Sequence, residues 1–440
     1  MIKMLGGNLF GKLLTMLFTA FFGVLSLGTG TGKTPPEVPE DFEPVLRFAV
    51  CSDVHLSGEA NDVNAKEFRE FFTQSYAYSK DSDSYKSLDA VMICGDFTNW
   101  GRESEYRMYQ KIVSEELKGD TKHLVCMGNH EFIEERETEG INAFDNYKKY
   151  VYENVDTHEI INGYHFIGLS YSDKDENYSD EKIQWLKSEL DKAVADTGDK
   201  PIFVYQHPHP TLTVYGSINW SEIKISLALK DYPQVINFSG HSHYNASDPR
   251  SIHQGKFTAM GTGGITGLEG NVNYIDGNAG SQMASSSYEI VEADAAGNVR
   301  IRVFDGYNDM FYPENDYYLP TGEKIYTWGN LRSFDTKPLF AEGEIKAEVN
   351  AEGEAVISFP DAKGYYDAAS YNVTVKDSSG KTVFCSSVIS EYVSAVDDGA
   401  SVNIGKQEKG EYSVEIKGVS PYAKIGKAIK GTVEVKAEVE

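Results

Sequence analysis

Short apolar runs alternate with amphipathic stretches through most of the chain. Residues 45–51, 88–94 and 123–127 are apolar and each run ends at a polar residue, as expected for central strands covered on both faces. Between them, residues 65–78 and 103–117 carry apolar side chains at helical spacing. This alternation predicts an α/β layered core. Further strands are predicted at 163–171, 201–206, 235–239, 256–261 and 287–291, and a helix at 180–195 with Asp180 as its cap.

From about residue 341 the pattern changes to short alternating strands separated by turns rich in Gly, Asp and Lys. Such regular spacing indicates a β-sandwich. The stretch 412–416, followed by Tyr422 and Ala423, resembles a fibronectin type III repeat. This region contains no catalytic set, so we expect a spacer or a binding module with possible glycan or cell-surface contact. The strands are predicted at 355–359, 371–375, 381–384, 401–404, 411–416 and 431–435.

The N-terminus has the pattern of a targeting segment. Lys3 and Lys12 precede an apolar run from residue 13 to residue 27, which is short for a membrane span and suits a secretory leader. An uncleaved membrane anchor is the alternative. We therefore expect an exported, secreted or cell-surface protein. The predicted organisation is a leader at 1–30, a linker at 31–44, a catalytic domain at 45–305, a connecting segment at 306–340 and the β-sandwich at 341–440.

Composition narrows the possible partners. The chain has 440 residues, 40% hydrophobic and 12% aromatic, which is typical of a globular protein with more than one domain. Its net charge of −26 argues against nucleic acid as a partner, because phosphate backbones favour clusters of Lys and Arg. A small phosphate ester can still bind where metal ions reverse the local charge. The four cysteines form no evident disulfide framework, and three of them lie within predicted strands.

Potential metal ligands follow five of the predicted strands. Asp53 and His55 come after the first, Asp96 after the second and Asn129 after the third. His207 follows the strand at 201–206, and His241 and His243 follow the strand at 235–239. Open α/β sheets bind ligands at the carboxyl ends of their strands, so we expect one shared site. Nitrogen and oxygen donors without thiolates suit catalytic Zn, Mn, Fe or Ni.

Residues 47–305 resemble the calcineurin-like metallophosphoesterases. The matching pieces are Asp53 with His55, Gly95-Asp96, Gly128-Asn129-His130-Glu131, His207, and Gly240-His241 with His243. The resemblance implies a four-layer α/β/β/α sandwich and two divalent or trivalent transition-metal ions. Asp53, His55, Asp96 and His243 would hold the first ion, and Asp96, Asn129, His207 and His241 the second. Asp96 would bridge the two.

The resemblance also implies a reaction. A hydroxide between the two metals would attack phosphorus in a small phosphate ester, while His130 assists the leaving group. Glu131 is expected to orient His130 or a metal-bound imidazole. Whether the ester is a monoester or a diester stays open, and His209, Trp100, Tyr215, Trp220 and Arg250 lie near motif loops where they could contact a substrate.

Two other functions are consistent with the sequence. The chain could be a non-catalytic surface binding protein that uses the phosphoesterase domain as a scaffold, although the complete ligand set weighs against this. It could instead be a phospholipid or cyclic-nucleotide phosphodiesterase. An apolar, aromatic rim around the metal cleft would favour a phospholipid substrate.

Overall fold

The computed structural model describes residues 32–266, 286–390, 395–396 and 399–436, together with the backbone of 268–269 and 282–283. The predicted leader at 1–30 lies outside these residues. Within them, no helix has both the length and the apolarity needed to cross a bilayer.

The α/β region contains two six-stranded sheets among the described residues. The first has the order β12-β11-β10-β1-β2-β3, with β1, β2 and β3 parallel. The second has the order β8-β9-β7-β6-β5-β4, with antiparallel strands β4 and β8 at its edges. The strands are β1 (Pro44–Cys51), β2 (Ala90–Cys94), β3 (Lys122–Cys126), β4 (Thr157–Ile161), β5 (Tyr164–Gly168), β6 (Ile202–Tyr205), β7 (Val235–Ser239), β8 (Ile252–Gln254), β9 (Thr258–Gly261), β10 (Ser287–Asp294), β11 (Val299–Asp305) and β12 (Met310–Leu319).

Helices cover the outer faces of both sheets. Phe71 of the first helix contacts Tyr288 of β10 at 5.0 Å between ring centroids, and the fifth helix packs on β5. Ser179 caps the fifth helix by accepting a hydrogen bond from Lys182 N, so the prediction that Asp180 is the cap was wrong by one residue. The helices are α1 (Val63–Asp81), α2 (Glu103–Glu116), α3 (Ile133–Glu137), α4 (Ala143–Tyr150), α5 (Asp180–Thr197), α6 (Ile223–Leu229) and α7 (Trp328–Phe334).

Alternation along the central strands produces two cores. In β1, Phe48 and Val50 face the second sheet while Ala49 and Cys51 face the helices. The ring of Phe48 contacts the ring of Phe203 in β6 at 4.8 Å, which joins the two sheets. Because both faces of these strands are buried, most of their residues are apolar and form continuous apolar runs in the sequence. The predicted four-layer α/β/β/α sandwich is confirmed.

The first sheet extends beyond residue 305. Strand β12 pairs with β11 at its edge and lies within 306–340, the segment expected to connect two domains. A residue such as Pro313 is unusual in a strand but is tolerated at an edge, where one side of the backbone has no partner strand. The segment therefore completes the sheet as well as leading to the next domain.

The C-terminal region is an antiparallel β-sandwich. A three-stranded sheet has the order β13-β14-β17 and a four-stranded sheet the order β16-β15-β18-β19. This arrangement confirms the predicted fibronectin-like sandwich. The strands are β13 (Lys346–Val349), β14 (Ala355–Phe359), β15 (Ser370–Lys376), β16 (Thr382–Ile389), β17 (Ala400–Asn403), β18 (Gly410–Val419) and β19 (Ile429–Val435).

Glu289 places a carboxyl group in the core between the two large sheets. It is fully buried on β10, and neither carboxyl oxygen has a hydrogen-bond partner among the described residues. Burial raises the pKa of Glu289 well above its usual value near 4.5. The folded protein therefore keeps this group protonated over a range of pH in which the unfolded chain ionises it.

We expect Glu289→Gln to make the α/β domain relatively more stable as pH rises. Above about pH 4.5, wild-type unfolding releases the proton of Glu289, so its stability falls by up to about 1.4 kcal/mol per pH unit. The neutral glutamine removes this slope. Urea denaturation from pH 5 to pH 8 measures the effect, with exposed Glu159→Gln as control. Parallel stability curves for Glu289→Gln and wild type would contradict a protonated Glu289.

Candidate metal centre

The predicted ligands lie together at the carboxyl ends of strands from both sheets. Asp53 follows β1, Asp96 follows β2 and Asn129 follows β3 in the first sheet, while His207 follows β6 in the second. His55 also follows β1, and the loop after β7 carries His241 and His243. Three groups of side chains each bring their ligand atoms within 4.8 Å of one another: Asp53 with His55 and His243, His55 with Asp96 and His130, and Asp96 with His207 and His241.

The ligand atoms of the centre lie at short distances from one another. His55 Nε2 lies 3.1 Å from His243 Nε2, and His207 Nε2 lies 3.1 Å from His241 Nδ1. Asp53 Oδ1 lies 3.1 Å from His243 Nε2, and Asp96 Oδ2 lies 3.0 Å from His207 Nε2. Lone pairs that converge in this way are best satisfied by cations. The membership of Asp96 in two of the three groups fits a bridging position.

The buried oxygen of Asn129 supports the same interpretation. Its Oδ1 atom is buried and has no hydrogen-bond partner among the described residues. A buried acceptor without a partner is costly unless something else binds it. The donor set therefore fits metal binding, including the neutral amide that the sequence analysis assigned to the second ion.

Several ligand candidates have strained backbones. Non-glycine residues rarely adopt positive φ, and such strain concentrates at functional sites. The turns after β1, β2 and β7 therefore carry a conformational energy cost at the residues that supply the ligands. The φ angles are 53° for Asp53, 50° for His55, 50° for Asp96, 75° for His241 and 52° for His243.

Two glycines in the motifs leave room for ligand side chains. An ideal Cβ at Gly128 would lie 2.2 Å from Asp96 Oδ1, and one at Gly240 would lie 2.5 Å from Asp53 Oδ2. No real Cβ atom approaches an oxygen so closely. Glycine is therefore required at both positions by the packing of the carboxylates.

Backbone carbonyls orient two of the histidines. His207 donates from Nδ1 to the carbonyl of Cys94 at 2.8 Å, which directs its Nε2 toward Asp96. His130 donates from Nδ1 to the carbonyl of Asn99 at 2.8 Å, and its backbone N–H donates to Asp96 Oδ1 at 2.8 Å. Such partners fix the tautomer and leave Nε2 free to bind a metal or act on a substrate.

The electrostatics follow from burial and from mutual charge. Burial opposes ionisation of His207, but the adjacent Asp96 raises its pKa to about 10. Burial would raise the pKa of Asp96, yet His207 and His130 hold it well below the usual value. Burial and the charge of neighbouring imidazoles lower the pKa of His55 and His241 to about 3 each. Metal binding would displace the proton shared between Asp96 and His207.

Among the described residues, the carboxylate of Glu131 is hydrogen-bonded to backbone amides and to Thr98 rather than to an imidazole, which corrects the role expected for it. One oxygen accepts hydrogen bonds from Asp96 N at 3.0 Å and Gly128 N at 2.6 Å. The other accepts from Thr98 N and Thr98 Oγ1, both at 2.8 Å. Burial and the charge of Asp96 raise the pKa of Glu131, and the hydrogen bonds from Thr98 and Gly128 oppose that rise. Glu131 thus joins the loops after β2 and β3.

We expect Glu131→Gln to destabilise both loops. Each oxygen serves two donors, so either orientation of the amide leaves two donors without an acceptor, at roughly 1–3 kcal/mol for each. Metal affinity should fall together with stability, because Asp96 and Asn129 lie on these loops. Urea denaturation and metal content measure the two effects, with exposed Glu137→Gln as control. Unchanged stability would contradict the role of Glu131 in joining the loops.

The other residues considered near the motifs differ in their surroundings. His209 is buried and hydrogen-bonded to Ser239 Oγ and Ser242 Oγ, both at 2.8 Å, so it supports the loop of His241 rather than facing substrate. Trp220 contacts the ring of His241 edge-on at 5.0 Å between centroids. The guanidinium group of Arg250 lies 3.7 Å from the ring centroid of Tyr215.

Large apolar side chains are exposed on the segments that precede and follow Trp220, a feature that the sequence analysis does not predict. Leu212 and Ile218 are 46% and 49% exposed on the loop that leads to Trp220. Ile223 and Leu227 are 50% and 51% exposed one turn apart on α6, which follows directly. The periodicity of α6 could have indicated this, because its apolar residues extend beyond one face.

A family model described as calcineurin-like phosphoesterase matches residues 46–245. This range begins in β1 and ends just after His243, so it includes all the predicted metal ligands. No curated protein matches the chain in sequence.

Solved structures similar to the chain include two enzymes and one small domain. The purple acid phosphatase PPD1 from yellow lupin (Lupinus luteus) seeds has 13% identity and a TM-score of 0.44, and the match covers 66% of this chain and 55% of that one. A 5'-nucleotidase precursor from Thermus thermophilus has 13% identity and a TM-score of 0.32, with coverage of 63% and 54%. An Fn3-like protein from Clostridium thermocellum has 18% identity and a TM-score of 0.18, with coverage of 24% and 100%. The chain spans little more than half the length of the two enzymes.

Proposed function

We propose that the chain is a metallophosphoesterase that hydrolyses small phosphate esters at a centre for two metal ions. The match of residues 46–245 to the calcineurin-like phosphoesterase model supports this proposal. Asp53, His55, Asp96 and His243 would hold one ion. Asp96, Asn129, His207 and His241 would hold the other.

The observation that carries this proposal is the convergence of carboxylate, amide and imidazole donors from the two sheets at one point. Asp96 shares one group with His207 and His241, and another with His55 and His130. Carboxylates bridge metal pairs through their two oxygens. Because cysteine thiolates are absent from the three groups found among the described residues, the set suits Mn, Fe, Zn or Ni in an open catalytic site.

The residues around the centre supply the remaining chemistry. When bound, the two ions would lower the pKa of water and neutralise charge on the phosphoryl oxygens. Asp53 and Asp96 are buried carboxylates that balance the positive charge there. A ring nitrogen of His130 lies close to His55 and Asp96, and with Nδ1 bonded to Asn99, a proton on Nε2 could pass to the departing alkoxide oxygen to form the alcohol.

Substrate hydrolysis with defined metals tests the proposal. Purified full-length protein would be analysed for its metals and assayed with p-nitrophenyl phosphate and bis-p-nitrophenyl phosphate after addition of Mn, Zn, Ni or Fe. We expect about two ions per chain and turnover with at least one metal. Absence of turnover with every metal, alongside tight binding of a glycan, would favour the scaffold function instead.

A phosphodiester with an apolar alcohol is a second candidate substrate. Trp220 lies against His241, and Leu212 and Ile218 on the same loop are exposed to solvent. An exposed apolar patch beside a cleft is typical of a binding surface. Comparison of a short-chain phospholipid with its water-soluble head-group ester would test this, and equal kcat/KM values would count against it.

The proposed location is the cell surface or the exterior. It rests on the apolar run at 13–27, which follows Lys3 and Lys12. Fractionation of cells that express the full chain tests it, together with N-terminal sequencing of the mature protein. Recovery of the intact chain in the cytosol alone would contradict export.

A further inference from the structure

A cavity of about 520 Å³ lies where the α/β region meets the β-sandwich. One wall comes from β12 and the loop containing Ser247 and Pro249, and the other comes from the β-sandwich between Asp361 and Tyr371. Its volume is within the range of small-ligand sites. The metal ligands found among the described residues are not part of its lining, so it is separate from the metal centre.

Six tyrosines contribute to the lining of this cavity. Their hydroxyl groups are largely engaged by the protein itself, as in Tyr366, which donates to the carbonyl of Leu331 at 3.0 Å, and Tyr371, which donates to Asp361 Oδ1 at 3.2 Å. Their contribution to a ligand site is therefore ring surface, apart from the face of Tyr365 that stacks on Phe334 and the face of Tyr371 that stacks on Phe340. The tyrosines that line the cavity are Tyr312, Tyr317, Tyr326, Tyr365, Tyr366 and Tyr371.

The charged groups of the lining are mostly acidic. Lys363 is the one cationic side chain among its described lining residues, and it lies 3.7 Å from Asp367. Arg300 and Arg302, which are outside the lining, pair with Asp316 at 2.5 Å and 3.8 Å. Four carboxylates beside these three cations leave the cavity with a net negative charge. The four are Glu314, Asp316, Asp361 and Asp367.

We propose that this cavity binds an organic ammonium ion. Aromatic faces attract such cations through their quadrupole, and carboxylates at the rim complement the charge. The same charge disfavours phosphate esters, so the ligand would differ in class from the substrate of the metal centre. The loop after β7 carries His241 and His243 and continues to Ser247 and Pro249, so one loop serves both sites.

Calorimetric titration of the full-length protein with choline tests this proposal. We expect saturable binding in the millimolar range or tighter, and at least about fivefold weaker binding of the neutral isostere 3,3-dimethylbutan-1-ol. Glu314→Gln should weaken choline binding by about threefold to tenfold. The exposed substitution Glu411→Gln on β18 should leave it unchanged.

A second variant separates the aromatic contribution from the charge. Tyr365 is 47% exposed at the mouth of the cavity, so Tyr365→Ala is expected to fold, which circular dichroism would verify. Tyr365→Ala should weaken the binding of choline while leaving the midpoint of thermal unfolding near that of the wild-type protein. Absence of choline binding, equal affinity for the isostere, or tighter binding of a neutral sugar would each overturn the proposal.

Discussion

Asp96→Asn is expected to abolish phosphate-ester hydrolysis and to remove both metal ions. Asp96 belongs to two of the three donor groups, and its carboxylate has two oxygens, so it would contact both ions. An amide is neutral and offers one ligating oxygen, which leaves the second ion without its bridge. Loss of several kcal/mol of charge stabilisation corresponds to at least about a 10³-fold decrease in kcat/KM.

Metal analysis and kinetics together check this expectation. Asp156→Asn is the matched control, because Asp156 is also a carboxylate near a cation, 2.8 Å from Lys182 Nζ, but lies outside the three donor groups. It should retain both ions and full activity. If Asp96→Asn kept one ion per chain with unchanged affinity, Asp96 would be a ligand of a single metal and the bridging assignment would fail.

In the α/β region, most of the strands that could be predicted from sequence are buried on both faces. Strand β7 was predicted with its observed bounds, because Val235, Ile236 and Phe238 make Val235–Ser239 a short, largely apolar run between polar residues. Strand β12 was missed because an edge strand needs no continuous apolar run and tolerates Pro313. Edge strand β4 was missed for the same reason, since two of its five residues are exposed.

The ligands were predictable because their chemistry and their position at strand ends agree. Their backbone conformation was not, since nothing in the residue types of His55 or His243 indicates positive φ. The role of Glu131 was missed because its partners are backbone N–H groups of another loop, which the sequence does not reveal. Contacts between the two sheets depend on tertiary packing, and a local pattern carries little information about them.

His130→Ala is expected to keep both metal ions while lowering turnover by roughly 10²–10⁴. His130 donates from Nδ1 to the carbonyl of Asn99, so its Nε2 is available for the leaving group. Proton donation matters most when the departing alcohol is a poor leaving group. The decrease in kcat should therefore be large for an alkyl phosphate ester and small for a p-nitrophenyl ester, whose phenolate leaves without a proton.

The metal content of His130→Ala distinguishes this role from direct ligation. His130 shares a donor group with His55 and Asp96, so it lies close enough to bind an ion. His123→Ala is the matched control, because His123 bonds to Tyr109 and Tyr152 away from the centre. If His130→Ala loses an ion, or if its effect is the same for both esters, His130 acts as a ligand and the protonation of the leaving group must come from elsewhere.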